Sequence, residues 1–406
     1  MFRSKNSITY RFIVTFVLIC DYSHVLYEYR GLNMDRIRVA YSDGKSCIKS
    51  YKNVLEQLRE GMAGTSPVAV LFTCDYNNFS YYSKALNADF PDSEVIGMSS
   101  YVVMSSIGHS LEGLSAIAIY SGIECASGVI HEISRYPLRY TDNIREALSS
   151  IGSTENCCCL AFTTAFCQCE ELVLDAYKSV LTEVNVPIFG SSAGAPDDIR
   201  DSYVSLNGTI LSEASVFIII KNLNGRIGIF RENMFRPTKH YFTATDVDCD
   251  ERAVYEYDDI PAAQAVAVAL GISVNELNEQ LKLHPMGRIE HDEIYITESN
   301  CVGDDLEITY YSRIYNRTKV VLLETDDIDK VFEATRNNIR KEFDSISFSL
   351  VINCLSRSKY FMENGRFDDF SDTLTAGYGS YIGFSGYGEQ ADYKHQNQTM
   401  LLAVFE

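Results

Sequence analysis

Twice in this chain an apolar run breaks into glycine and serine in the same order. The first copy is Val95-Ile96-Gly97-Met98-Ser99-Ser100 and the second is Pro187-Ile188-Phe189-Gly190-Ser191-Ser192-Ala193-Gly194. Each copy closes a unit of one grammar. One unit runs from an apolar strand, Val68 to Cys74, through a helical stretch with Tyr81, Ala85 and Leu86, to Val95. The other runs from a strand, Cys159 to Thr164, through a helix with Leu172, Ala176, Val180 and Leu181, to Pro187. The glycines stand 190 − 97 = 93 residues apart, the period of a duplicated β-α-β unit of domain size and not of a short solenoid repeat. The pattern predicts a mixed α/β fold of duplicated units whose strands end in tight, open loops. Glycine there admits positive φ or close backbone approach, and serine hydroxyls with free amides suit a polar ligand or an anion. Turn chemistry, with serines capping the next element, is the structural alternative. Duplication favours binding.

The 406 residues, 46% of them hydrophobic, suffice for a sizeable core and two or three domains. A net charge of −20 repels nucleic acid and anionic membrane surfaces, and no basic run offsets it. Twelve cysteines lie scattered, several of them inside apolar strands (Cys74, Cys158, Cys354), as expected of a reducing, cytoplasmic setting. Cys157, Cys158, Cys159, Cys167 and Cys169 do not read as a zinc site, because consecutive strand residues alternate faces. Phe12 to Cys20, behind Arg3, Lys5 and Arg11, is too short to span a bilayer and lacks a small-x-small cleavage pattern. Met34 reads as a second start, with residues 1–33 an extension outside the fold.

Further on, Asn207-Gly208 between two short apolar runs is a strong hairpin signal. The pattern pauses from Met234 to Pro237, which places a domain boundary at 236/237. Pro261 follows Asp259 at a helix start, that helix ends at Gly271, and a second carries Val274, Leu277 and Leu281 to His284. A long helix spans Ile328 to Phe343, then come a strand Phe348 to Cys354, a helical stretch Phe367 to Leu374, and Tyr381-Ile382-Gly383-Phe384-Ser385-Gly386-Tyr387-Gly388-Glu389. This is a third, weaker echo of the same grammar, so the C-terminal half reuses the building unit.

Together with Asp259-Ile260-Pro261-Ala262-Ala263, His284-Pro285-Met286-Gly287-Arg288, Cys354-Leu355-Ser356-Arg357 and Asn397-Gln398-Thr399, these segments resemble the FIST family in the family's order, over nearly everything after Met34. The resemblance implies a FIST N domain over 34–236 and a FIST C domain over 237–406, intracellular sensory modules that bind small ligands such as amino acids. It also implies a separate signalling partner: in bacteria a histidine kinase, a cyclic-dinucleotide enzyme or a chemoreceptor. One branch of the family binds haem and senses nitric oxide. The chain departs from fused members in carrying no output domain, it lacks an F-box, and Met98 stands where the family often has cysteine.

The candidate ligand-binding residues are Gly97, Ser99, Ser100, Gly190, Ser191, Ser192, Ala193, Gly194, Arg288, Cys354, Arg357, Gly386, Tyr387, Gly388 and Glu389. No catalytic or metal residue is assigned and no cofactor is expected. In the haem alternative the ligand is His284, whose structural alternative is capping of a helix C-terminus. A third reading is a hydrolase or thiol enzyme using Ser192, or using Cys354 with its thiolate favoured by Arg357; the bland reading of Cys354 is inert strand packing. The glycine-serine segment lacks the helix that follows a Gly-x-Ser-x-Gly elbow, and no Gly-x-x-x-x-Gly-Lys occurs, so a non-enzymatic sensor is the leading expectation.

Overall fold

A computed structural model describes residues 36–62, 64–291 and 293–406. The expectation for residues 1–33 lies outside them. The strand-helix-strand unit occurs three times. Its inner strands pair in parallel as Ala69–Cys74 with Glu94–Ser99, Cys157–Thr163 with Ile188–Ser192, and Phe348–Cys354 with Tyr381–Gly386. The helices between them are Phe79–Asp89, Glu170–Leu181, and the pair Leu355–Glu363 and Phe367–Tyr378. Each unit opens with a lead strand (Ile37–Ser42, Ile123–His131, Ile227–Asn233) and ends with a return strand (Leu114–Ile119, Ala214–Asn222, Thr399–Phe405), which lies antiparallel between its lead strand and its first inner strand.

Each unit also sends a hairpin to a neighbour. The first unit's hairpin, Val103–Ser105 with Gly108–Ser110, extends the third sheet; the second's, Val204–Leu206 with Thr209–Leu211, extends the first; the third's, Glu389–Ala391 with Lys394–Gln396, extends the second. The exchange is cyclic and closed. Asn207 and Gly208 turn the second hairpin with φ 48° and 74°, the left-handed pair of a type I′ turn.

The inner strands are buried on both faces, which explains their unbroken apolar runs. Alternate residues serve different cores. Leu71, Ile96, Leu160, Phe189, Leu350, Ile382 and Leu401 meet in one axial core shared by all three sheets, while Val70, Phe72 and Val95 face Leu58, Phe79 and Leu86 of the first unit's helices. The second and third units cover their outer faces in the same way.

Inserted in the third unit, between Asn233 and the helix Ile328–Glu342, is a subdomain with its own core (Val254, Tyr257, Val266, Leu277, Ile308, Leu322). Its eight-stranded sheet includes the long strand Phe235–Asp248, and its helices are Ala262–Leu270 and Val274–Gln280. Ser273 and Glu276 form a reciprocal capping box on the second helix, and Gly271 ends the first with φ 71°. Ile227–Asn233 pairs with the C-terminal strand, so the chain enters the third sheet ahead of the expected 236/237 boundary. The helix Leu355–Glu363 was not expected.

At the axis the three second inner strands meet. Gly194 N–H donates to Ser99 O (2.7 Å), Tyr387 N–H to Ser192 O (3.0 Å) and Tyr101 N–H to Ser385 O (3.0 Å). With the strand glycines at 97, 190 and 383, the acceptors stand two residues on (99, 192, 385) and the donors four (101, 194, 387). The three bonds form a ring. Side chains have little room beside it: a Cβ on Gly194 would lie 2.3 Å from Ser385 O, and one on Gly386 2.0 Å from Ser192 O. Gly386→Ala should therefore cost several kcal/mol, about 3 or more, through forced backbone shifts in the core, whereas Gly152→Ala, with nothing within 4 Å of its Cβ, should change stability by less than about 1 kcal/mol. Urea unfolding of the two variants checks this.

Candidate functional site

The glycine-serine segments are not open loops. Gly97, Ser99, Gly190, Ser191 and Ser192 lie within their strands. Of the fifteen candidate residues only Tyr387 is not buried. Their polar groups turn to protein. Ser191 Oγ contacts the Ser192 and Gly388 carbonyls at 3.1 and 3.2 Å, and Ser192 Oγ donates to Glu170 Oε1 at 3.4 Å and accepts from Gln390 Nε2 at 3.3 Å. Ala193 N–H donates to Thr163 O. The physical reason is the ring: strand ends that meet at an axis are covered by one another.

The fold nevertheless brings the candidates together. Ser100 Oγ accepts from Thr73 Oγ1 and from Ser385 N–H; Ser385 Oγ meets Ser358 Oγ at 3.0 Å; and Ser358 Oγ accepts from Asn353 Nδ2 at 2.9 Å. Asn353 Oδ1 in turn accepts from Arg357 Nε at 3.0 Å. Arg357, wholly buried, closes the chain on Glu232 at 2.6 Å, with Phe361 and Phe370 beside its guanidinium. Gly388 is pressed against His395, whose Cε1 would lie 2.3 Å from an added Cβ. Tyr387 donates to Ala195 O and meets Phe166 edge-on.

Arg357 does not favour a Cys354 thiolate. Burial pushes the Cys354 thiol well up, and Glu389 and Glu298 push it further. Ser192 Oγ has the Glu170 carboxylate and the Gln390 amide as its partners. His284 stands apart from this network: its Nδ1 lies 3.1 Å from Leu323 O and its N–H closes a turn on Gln280 O. Both contacts are with main chain.

The densest polar chemistry lies in a seam between the three-unit body and the inserted subdomain. The body contributes Glu170 and Glu171 at the start of the helix Glu170–Leu181 and the buried run Glu389, Gln390, His395, Gln396, Asn397, Gln398 and Thr399. The subdomain contributes Arg252, Arg288, Glu298 and Arg313. Arg252 Nη2 donates to Glu170 Oε2 at 2.6 Å and to Glu171 Oε2 at 2.7 Å, and Arg313 N–H donates to Glu171 Oε1 at 2.9 Å. Burial opposes a charged Glu171, yet Arg252 holds its carboxyl well below the ordinary range. Main chain stitches the same line, with Asn397 N–H donating to Ile296 O at 3.0 Å.

Around this seam buried polar atoms stand without a hydrogen-bond partner among the described residues: Glu389 Oε1, Gln390 Oε1, both amide atoms of Gln396, His395 Nδ1, and Nε of Arg252, Arg288 and Arg313. Buried polar atoms are ordinarily paired with protein, water or ligand. No metal-holding cluster of histidine, cysteine, aspartate and glutamate occurs among the described residues.

Of the residues at this seam the sequence reading named Arg288 and Glu389 and did not name Glu170, Glu171, Arg252, Arg313, His395, Gln390 and Gln396. Glu170-Glu171 at a helix start reads as ordinary compensation of the helix dipole. Lys394-His395-Gln396-Asn397-Gln398 reads as a surface turn. Its one signal was position, a polar run set between two strands of the core.

Residues 68–260 match the FIST N domain and residues 262–392 the FIST C domain. The chain belongs to the FIST family, whose domains are sensory and associated with signalling. The two matches meet at the start of the helix Ala262–Leu270, inside the inserted subdomain. No curated protein matches the chain. A solved cyanuric acid hydrolase from A. caulinodans aligns with 91% of this chain and 99% of its own at 9% identity and a TM-score of 0.37, a likeness too slight to carry an argument. No helix among the described residues is long and apolar enough to cross a membrane, and every described cysteine is free.

Burial raises the Glu389 carboxyl from its ordinary 4.5 to about 8, against the lowering effect of Thr399, which donates to Oε2 from N–H (3.0 Å) and Oγ1 (2.6 Å). A raised carboxyl favours the folded state while protonated, so its contribution is full below about 4.5 and is lost as pH rises through 8. Burial lowers His395 below 6.5, so its contribution runs oppositely and is lost on acidification below that value. Glu389→Gln should therefore gain stability relative to the wild type between pH 5.5 and 8.5, by roughly 2–4 kcal/mol. Urea midpoints of both proteins across that range report the difference.

Proposed function

We propose that this protein is a ligand-binding sensor whose small polar ligand occupies the seam between the three-unit body and the inserted subdomain. The observation that carries this reading is the set of unpartnered buried polar atoms along Glu389–Gln396 and on the facing arginines. Interfaces between compact units are where small-molecule sites concentrate, and the seam is lined from both sides. Family membership supports the sensory role.

Occupancy is reported by the inserted subdomain. A ligand touching both sides favours the closed arrangement by as much as its affinity for that arrangement exceeds its affinity for an opened one. The signal passes to a separate partner, of the histidine kinase, cyclic-dinucleotide enzyme or chemoreceptor kind, within the reducing cytoplasm that the free cysteines suit. Amino acids are the first ligand class to screen.

A thermal-shift screen against amino acids and nucleotides should find a compound that raises Tm; at 100 times its Kd the gain is about 2.7 kcal/mol. Gln390→Leu, which removes the amide that lies on Ser192 and keeps an apolar volume, should abolish that shift while the protein stays folded. Hydrogen exchange with the compound bound should slow at 389–399 and at 286–290 together. A stabilising compound that is indifferent to Gln390→Leu and protects neither segment would overturn the reading.

A further inference from the structure

At one end of the seam the guanidiniums of Arg252, Arg288 and Arg313 stand with the carboxylates of Glu170 and Glu171, whereas Glu298 has Lys282 and Lys359 as its charged neighbours and Glu389 is held by Thr399. Arg252 takes both Glu170 and Glu171, and Arg313 approaches Glu171 at 3.9 Å. Asp250, 3.7 Å from Arg313, is 95% exposed and compensates little through solvent. Arg288 stands differently. It is 3% exposed, and it forms no ion pair with a carboxylate among the described residues. Its Nη1 donates to Arg313 O at 2.6 Å and its Nη2 to His395 O at 2.5 Å. Main-chain carbonyls hold the group in place without neutralising it. A buried charge left in that state is costly.

Among the described residues the buried Nε–H groups of Arg252 and Arg288 have no hydrogen-bond partner, and that of Arg313 makes no hydrogen bond, its nearest carboxylate being Glu171 at 3.9 Å. Donors therefore outnumber acceptors in this cluster, where three guanidiniums stand with the two carboxylates of Glu170 and Glu171. Burial lowers Lys394 on the facing hairpin, and the nearby Arg288 guanidinium adds to that. His395, neutral for want of solvent and with Arg252 and Arg288 nearby, adds no charge of its own.

We propose that the ligand of the seam carries a singly charged oxyanion, a carboxylate, and that Arg288 is the residue that receives it. The inference rests on the reading of the seam as the ligand site and adds the chemistry of one end of the ligand. One uncompensated guanidinium matches one negative charge. A phosphate dianion would bring a second beside Glu170 and Glu171, where like charges repel. The protein's net charge of −20 does not oppose this, because at about 8–10 Å in physiological salt the surface charge is screened while contacts inside the seam are not. Charge-assisted N–H···O bonds are the strong kind. Arg288 is also fixed by backbone on two sides, so it needs little reordering when the anion arrives.

The test uses the intact chain and simple anions. Tm is followed in sodium acetate, sodium phosphate and sodium sulfate, with ionic strength held constant by sodium chloride. Acetate should raise Tm saturably and more strongly per mole than phosphate or sulfate. Arg288→Met should weaken that response about tenfold or more, and Arg288→Lys should retain part of it. Because Arg288→Met can fail to fold, a second measurement is made on the wild-type protein labelled with 15N-arginine, where acetate should shift a buried Nε–H resonance that is absent from the Arg288→Lys spectrum. A flat acetate response overturns the proposal, as does an equal response in the Arg288 variants or an unmoved Nε–H resonance. A neutral compound that binds the seam and is lost in Gln390→Leu, with acetate without effect, would overturn this inference and leave the sensor reading standing.

Discussion

The three bonds from Gly194, Tyr387 and Tyr101 to the carbonyls of Ser99, Ser192 and Ser385 are the constraint on which the rest of the molecule depends. Three strands that converge on an axis bring polar main chain into a core without water, and each group must find a partner there. The ring supplies partners by having every unit donate to one neighbour and accept from the other. Residues at this place must be small, which accounts for Gly97, Ser99 and Ser100, for Gly190 to Gly194, and for Gly383, Ser385 and Gly386, while Met98 and Phe384 between them turn to the axial core. The same crowding directs the serine hydroxyls into short contacts with one another, such as Ser358 with Ser385 at 3.0 Å.

From the ring follows the location of the seam. The hairpin Glu389–Gln396 leaves the axis directly after Tyr387, joins the second sheet at Ser191, and so carries residues of the third unit onto the second. The inserted subdomain, also part of the third unit, meets the second unit through Arg252, Glu170 and Glu171. Two branches of one unit thus clasp another, and the polar residues trapped between them are those that strand pairing alone does not satisfy. Leu71 and Ile96 have no such need; Gln390 and His395 do.

The repeat was legible because strand geometry writes itself locally. Gly97 and Gly190 stand in the same five-residue context, and Gly383 showed the grammar even with phenylalanine and glycine at neighbouring positions. The hairpin at Asn207-Gly208 and the helix end at Gly271 were equally local. The serines were read as exposed because a sequence shows that residues are small and polar without showing what faces them. The helix Leu355–Glu363 was hidden by its direct continuation from a strand at Cys354. The seam was illegible for a different reason: Arg252 and Glu170 lie 82 residues apart, and neither has a local pattern that marks a partner. Pairings made by topology leave no periodicity.

The cyclic hairpin exchange sets a schedule for synthesis. As the chain emerges from the ribosome, the first sheet waits for Val204–Leu206 and the second for Glu389–Ala391, near the C-terminus, while the third unit must find a hairpin made long before it, Val103–Ser105. Neither the first nor the second sheet is complete when its own unit has been translated: the Gly97 strand stays open at one edge until Val204–Leu206 arrives, and the Gly190 strand until Glu389–Ala391 does. Unpaired strand edges on a nascent chain are surfaces for misassembly, and the Gly190 strand presents one for about half of the time translation takes.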